Sequence, residues 1–437
     1  MHKRRQKLTA DNLSDLYSEY FPYFFVALLS RLIITAIKPY TIDMAGYVAW
    51  SKYLAEHGPS MFYVSSGFHV VYAPFFLYFL WFTGEISGLL SIPYAGHAYF
   101  IKLWSVIFEF MGAWLIIKLS EKANRTRAGF FIALIYVLNP GVFVNSSIWG
   151  QFDSIPATML MGVLVLFEYK KPNLGALLFL TAVLTKPQSG LLLPVVLYLY
   201  FRDFKFDINS IKKLVVGLFS GVILYLAIVL PFYSPTSKAG FIPGFLDPFY
   251  WLLDLYSTSI KDYPYATANA FNFWTLLGGQ IQDDALPFMG LTYFWWGNIL
   301  FALSLVYSFF CLIRGKASLY AVTYFSFMVL FSAFFFMTKM HERYLLPAII
   351  FIMFAALFEK RHWLTAALLS LCVFVNHISL YIISFEERYW LDRWDSTALI
   401  FAALTLITYI LAIYNGHRAF ISSDSPQNKS NVVRRKR

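Results

Sequence analysis

The sequence predicts an all-α, polytopic transmembrane bundle, and three observations carry that reading. Of the 437 residues, 59% are hydrophobic and 20% aromatic while only 14% are charged, more apolar surface than one aqueous core can hide. Apolar stretches recur from residue 20 nearly to residue 416, at lengths that suit bilayer-spanning helices of about 20 residues. Short strands of alternating polarity, the signature of an outer-membrane barrel, do not recur. Chain length and connecting loops together allow about ten to twelve spans. The chain then divides into a basic N-terminal tail at 1–19, a membrane unit at 20–416 and a basic C-terminal tail at 417–437, which is expected to be disordered.

Charge placement sets the orientation. The formal net charge is +11, and nine basic residues, Lys3, Arg4, Arg5, Lys7, Lys429, Arg434, Arg435, Lys436 and Arg437, lie at the two ends. Such tails suit anionic headgroups on the cytoplasmic side rather than a nucleic-acid footprint. With the N-terminus inside, the first apolar segment leads outward as a retained signal anchor, and residues 38–70 form the first external loop. Later basic clusters at 170–171, 202–213, 314–316 and 360–361 alternate with aromatic, poorly charged connections, so both termini are expected to be cytoplasmic. Lys118, Lys122, Arg125 and Arg127 also look cytoplasmic, which requires an even number of crossings where the apolar pattern offers three segments. Either residues 72–83 form a short or re-entrant piece, or this basic loop is external. Cys311 and Cys372 lie in apolar helices with no metal-ligand spacing.

Four places concentrate polar chemistry on the expected external side. Residues 41–54 read as an amphipathic helix on the membrane surface, with Met44, Val48, Ser51 and Leu54 on one face and Tyr47, Trp50 and Tyr53 suited to the headgroup zone. Asp43 at its start is either a helix cap or a general base held at the membrane boundary. After the Asn139-Pro140 break, WGQFD at residues 149–153 packs Trp149, Gln151 and Asp153 against the next apolar helix. Asp153 either caps that helix or is a functional intramembrane carboxylate. TKPQ at residues 185–188 sets Lys186 and Gln188 at a proline break between two half-helices, where the lysine either snorkels or pairs with an anion such as a phosphate. MHERY at residues 340–344 brings His341, Glu342 and Arg343 into one short turn, either an interface anchor or, favoured because anchoring alone does not need all three, a site with Arg343 as a phosphate ligand that Glu342 orients. Arg31, inside the first apolar segment, pairs either with an acidic neighbour or with a lipid phosphate. The stretch 231–287 adds Tyr256, Tyr263, Tyr265, Asn269, Asn272 and Trp274, which suit a sugar or an interfacial loop alike. No Walker A loop, dinucleotide fingerprint or HExxH pair is present.

Taken in order, these motifs resemble the glycosyltransferase C superfamily, most closely the bacterial membrane proteins described as mannosyltransferase-like relatives of the GPI-anchor mannosyltransferases. The resemblance covers most of the chain and is most specific at WGQFD, TKPQ and MHERY. It implies a multi-pass enzyme of the cytoplasmic membrane that moves a hexose, with mannose suggested by the family name, from a polyprenyl-phosphate donor on the extracytoplasmic face. Asp43 matches the catalytic base, and Asp153 a second acidic position that orients acceptor or base. Lys186 and Arg343, with Arg31, would meet the donor phosphate, and Trp149, Gln151, Gln188, His341 and Glu342 would line the substrate. A single displacement inverts the anomeric carbon. The implied partners are the lipid-linked donor, a glycan, glycolipid or protein acceptor, and the bilayer. No cofactor is required, and without a DxD pair a divalent metal has little support. The rival readings are a flippase or secondary transporter of a lipid-linked sugar, and a non-catalytic scaffold on the same fold.

Overall fold

The computed structural model describes residues 10–60, 62–235 and 244–421; the basic ends at 1–9 and 422–437, including the C-terminal segment expected to be disordered, lie outside the described residues. The first helix runs Ala10–Thr35 and so begins within the segment expected as a tail. Among the described residues, six helices are long and apolar enough to cross a membrane: Tyr94–Lys122, Ile208–Phe232, Tyr293–Arg314, Leu319–Phe336, His362–Glu386 and Ser396–Ile421. A seventh is formed if Thr126–Val137 and Pro140–Trp149, bent by 43°, count as one broken span. The expected ten to twelve are therefore not all full-length helices. Proline breaks cut other apolar runs into the shorter Ser154–Glu168, Pro172–Thr185 and Pro187–Phe201, because proline removes one ladder hydrogen bond and clashes with the preceding turn. The only strands among the described residues are Pro287–Phe288 and Leu291–Thr292, paired antiparallel as a hairpin.

The bundle has two chemically different ends. At one, Arg127 pairs with Glu19 at 2.5 Å, Lys170 with Asp203 at 2.6 Å and Arg202 with Glu168 at 3.7 Å, while Arg125 reaches the Leu357 carbonyl. The basic loop after Tyr94–Lys122 thus sits beside the first turns of Ala10–Thr35. The three-segment problem resolves through Pro74–Leu89, which packs along the Thr41–His57 helix; Ser51 Oγ donates to the Leu80 carbonyl at 2.5 Å. Pro74–Leu89 starts near Tyr72, which shares a hydrogen bond with Tyr47 at 3.2 Å. It finishes at the turn into Tyr94–Lys122, where Tyr99 donates to the Leu32 carbonyl at 3.2 Å. Both of its ends meet segments from the same end of the bundle, so this unbroken helix lies along that end rather than crossing. That other end collects 37–40, 149–153, 186–187, 262–292, 337–346 and 386–395.

Arg31 is completely buried, and its role is structural. It pairs with Glu109 of Tyr94–Lys122, and it donates to Ser147 Oγ at 3.1 Å, Ser146 Oγ at 2.8 Å and the Val137 carbonyl at 2.8 Å. Every guanidinium nitrogen is used, so the donor-phosphate role expected for Arg31 is corrected to that of an ion pair. Glu109 also accepts from Ser154 Oγ at 2.6 Å. The pair therefore ties the first helix to the bent segment on one side of WGQFD and to the helix on the other. Removing one partner of a buried pair costs about 3–5 kcal/mol because the survivor is left charged and unpaired, whereas an apolar pair of similar volume is tolerated. Glu109→Leu is expected to lower the unfolding temperature of the detergent-solubilised protein clearly, and the double change Arg31→Met with Glu109→Leu to regain more than half of that loss; equal losses in both would contradict the pairing.

Candidate active site

The site is assembled on the loop between the first two helices and on the broken helix that ends at Trp149. Asn139 opens that piece by accepting from the Gly141 amide at 2.8 Å, and it donates to Ser370 Oγ at 2.8 Å. Its last turn, Val144–Trp149, is π-helical and closes on Gly150. Gly150 has φ +97°, a backbone conformation that suits glycine, and its bare Cα lets the Met44 methyl and the Lys102 stem pack close, 2.5 Å and 3.3 Å from where a Cβ would stand. Lys102, buried, donates to the Ile37 carbonyl at 2.6 Å and the Ser147 carbonyl at 3.0 Å, which staples the loop to the turn. The Tyr40 amide donates to the Trp149 carbonyl at 2.9 Å, and the two rings stack at 4.1 Å.

This stapling decides what Asp43 does. The Thr41–His57 helix has no side-chain cap, and Asp43 stands in its first turn. Its Oδ2 accepts from the Trp149 indole at 2.7 Å and from the Gln151 amide at 2.6 Å. Gln151 is itself fixed, accepting from Tyr47 OH at 3.1 Å through its side chain and from Ser105 Oγ at 2.9 Å through its carbonyl. Two donors on one oxygen hold the carboxylate's direction, and the residue stays partly open. The helix-cap alternative for Asp43 is therefore set aside, and Trp149 and Gln151 hold the carboxylate.

Asp153 has a different setting. It is buried and pairs with Lys186, while Asn145 Nδ2 reaches its second oxygen at 3.2 Å. His377 completes the row, with Nδ1 2.7 Å from the Val373 carbonyl and Nε2 3.0 Å from Asn145 Nδ2; that pattern needs a neutral ring protonated at Nδ1. Lys186 lies at the break between Pro172–Thr185 and Pro187–Leu192, its ammonium over Phe152 at 4.9 Å and Tyr344 at 5.3 Å. Beside it opens a cavity walled by Leu160, Leu191, Leu330 and Phe334, with Asp153, Lys186, Gln188, Ser189 and Tyr344 among its lining. Gln188 Oε1 is buried there without a partner.

The MHERY turn is held by the loop at 264–284. The Lys339 amide donates to the Tyr265 carbonyl at 2.8 Å and the Ala268 amide to the Met340 carbonyl at 3.0 Å, while Asp284 accepts from Thr338 Oγ1 at 2.7 Å. Asn272 accepts from the Trp274 amide at 3.1 Å and donates to the Phe334 carbonyl at 3.1 Å. Asn269 and Asn272 are thus backbone clamps, and their amides are not free for a sugar. Arg343 Nη1 donates to Glu342 Oε1 at 2.5 Å, and its Nε is buried without a partner. Burial pushes the Glu342 carboxyl above its ordinary range against the opposing pull of Arg343. Burial, with Arg343 and Lys186 adding to it, holds His341 well below the usual imidazole value, so its ring is neutral. Burial raises the Tyr72 hydroxyl to about 12, with the Arg343 charge opposing that shift and the Asp43 charge adding to it. Among the described residues, no three His, Cys, Asp or Glu side chains converge as metal ligands.

The structure brings together Asp43, Trp149 and Gln151, and separately Asp153, Lys186 and Gln188, with Glu342 and Arg343 between them; Arg31 stands apart. Sequence reading missed Lys102, Glu109, Tyr40 and His377. Lys102 and Glu109 carried a signal, since two charges seven residues apart in one apolar helix share a face and demand protein partners.

No protein-family model matches the chain. Over 155 residues it is 26% identical to the dolichyl pyrophosphate Glc1Man9GlcNAc2 alpha-1,3-glucosyltransferase of Saccharomyces cerevisiae, a stretch covering 32% of this chain and 27% of that protein. Solved structures of ArnT from Cupriavidus metallidurans, apo and bound to undecaprenyl phosphate, align with a TM-score of 0.48 at 13% and 14% identity, over 92% of this chain and 77% of ArnT.

An anion entering beside Arg343 competes with Glu342 for the guanidinium. Because the Glu342 carboxyl titrates above its usual range, lowering the pH through that range protonates it and releases Arg343, whereas a phosphodiester keeps its charge. Affinity for an alkyl phosphodiester is expected to rise several-fold as pH falls, and Glu342→Gln to bind tightly with no pH dependence; a variant that keeps the wild-type slope would contradict the competition.

Proposed function

We propose that the protein is a membrane glycosyltransferase of the glycosyltransferase C type, taking a sugar from a polyprenyl-phosphate donor to an acceptor hydroxyl on the extracytoplasmic face. The observation that carries this reading is a partly open carboxylate, Asp43, gripped on one oxygen by Trp149 and Gln151, in a protein that also sets two cations, Lys186 and Arg343, against the one ring of Tyr344. The name of the yeast relative, a transferase acting on a dolichyl-linked oligosaccharide, supports the reaction class. Mannose is not carried forward, because that relative is named a glucosyltransferase. Basic clusters gathered at the opposite end of the bundle support the orientation, since such clusters stay cytoplasmic.

The chemistry follows from the two oxygens of Asp43. Oδ2 is occupied by its two donors, which leaves Oδ1 to take the acceptor proton as the acceptor oxygen bonds to the anomeric carbon. The bond from that carbon to the phosphate oxygen breaks on the opposite side, so the configuration inverts. Arg343 meets the charge that grows on the departing phosphate, bidentate if Glu342 yields, and Lys186 adds a second cation from the cavity edge. Asp153 keeps Lys186 charged in a buried setting and holds it at the proline break, a positioning role. The proton ends on Asp43, and no protein acid is needed for a leaving group already anionic.

The test is release of polyprenyl phosphate by the protein reconstituted in vesicles with a panel of polyprenyl-phosphate sugars and membrane acceptors. Asp43→Asn, which preserves both donors' partner oxygen, is expected to slow acceptor-dependent release by about 10²–10⁴-fold with unchanged unfolding temperature. Donor movement across the bilayer without release, equal in both proteins, would identify a flippase and overturn the proposal.

A further inference from the structure

The transfer as described does not use one cluster of side chains, the rings of Tyr263, Tyr265 and Trp390. Tyr263 and Trp390 are each 39% exposed, with ring centres 6.5 Å apart, and Tyr265 meets Trp390 nearly edge-on at 5.9 Å. They come from two loops far apart in sequence. Both loops are locked to Asn269, whose side chain donates to the Tyr389 carbonyl at 2.9 Å and accepts from the Leu391 amide at 3.0 Å, while the Tyr265 carbonyl is held by the Lys339 amide at 2.8 Å. Exposed aromatic rings on pinned backbone lose little further freedom when something stacks on them.

The cluster is continuous with the site along two routes. Tyr263 stands edge-on to His341 at 4.6 Å, one residue from Glu342. On the other side Tyr389, the neighbour of Trp390, approaches Tyr40 at 6.1 Å, and Tyr40 stacks on the Trp149 that holds Asp43. The rings therefore lie between the MHERY turn and the Tyr40–Trp149 stack that adjoins Asp43.

Their surroundings distinguish them from membrane anchors. Around them stand the His69–Asp262 pair at 2.7 Å and Arg388, which lies 3.5 Å from Glu386 and 3.7 Å from Asp392. The nearby Asp247–Lys261 helix presents the opposite character, with Tyr250, Leu253 and Ile260 exposed, as a lipid-facing surface would. Flat rings ringed by hydrogen-bonding charges suit a pyranose, whose C–H face stacks while its hydroxyls reach the rim; an acyl chain would leave those charges desolvated.

We propose that Tyr263, Tyr265 and Trp390 form an acceptor subsite for a saccharide, holding a sugar unit next to the hydroxyl that Asp43 deprotonates, so that the acceptor is a glycan. This rests on the transferase reading. Binding is therefore measured without turnover, as the change in tryptophan fluorescence of the full-length protein with maltose, cellobiose and methyl α-mannoside. At least one of these is expected to bind, with affinity falling at least fivefold in Trp390→Leu and Tyr263→Leu but much less in Trp390→Phe, while affinity for an alkyl phosphodiester stays the same in all. Equal saccharide responses in wild type and Trp390→Leu, or no response in either, would overturn the subsite even if transfer is observed. Loss of binding to anionic phospholipid vesicles in the variants, without a change in saccharide affinity, would mark the rings as anchors and overturn it too. Saccharide binding at these rings in a protein that releases no polyprenyl phosphate with any donor would remove the acceptor role and point the failure at the transferase reading.

Discussion

A buried guanidinium decides where the chemistry of this protein can sit. Arg31 joins the first helix to Glu109 and to both serines of the π-helical turn Val144–Trp149, and that turn fixes the direction in which Trp149 and Gln151 leave it. Charges inside a bilayer-spanning bundle are costly unless paired and fully hydrogen-bonded, and an unpaired member is far worse than an apolar substitute. The arrangement therefore has a stiff geometry: the turn cannot drift without exposing a charge to hydrocarbon. Lys102 extends the same logic upward by holding two carbonyls that belong to different segments.

From that anchor the two carboxylates acquire different fates. Asp43 is approached by neutral donors, an indole and an amide, which orient it without neutralising it. Asp153 is buried against an ammonium, an amide and, through that amide, a neutral His377. One carboxylate stays partly open, and the other pairs with a lysine whose charge desolvation opposes. Glu342 and Arg343 are poised between these arrangements, with a guanidinium nitrogen still unpartnered.

The sequence made the all-α membrane class legible, because composition and the length of the apolar runs are enough for it. It also located Asp43, WGQFD, TKPQ and MHERY as the places where polar chemistry collects. What it could not resolve was pairing. Whether Arg31 meets a phosphate or a carboxylate depends on which helix packs beside it, and the partner, Glu109, lies 78 residues away. The amides of Asn269 and Asn272 were legible as polar groups but not as clamps, since their partners are backbone groups on loops that only the fold brings near. Broken spans were visible at Pro140 and Pro187, yet that Pro74–Leu89 lies along one end of the bundle needed the contacts of Ser51 and Tyr99.

In the proposed reaction Gln151 acts through the carboxylate of Asp43, and everything else at the site is arranged around that grip. A double-mutant cycle on acceptor-dependent polyprenyl phosphate release, using Asp43→Asn, Gln151→Met and both together, reads the dependence out. Gln151→Met is expected to slow release in the wild-type background but to add almost nothing once Asp43 is changed, a coupling of about 1–3 kcal/mol. Multiplying effects, with the double variant slower than Asp43→Asn by the full factor of the single Gln151 change, would contradict it.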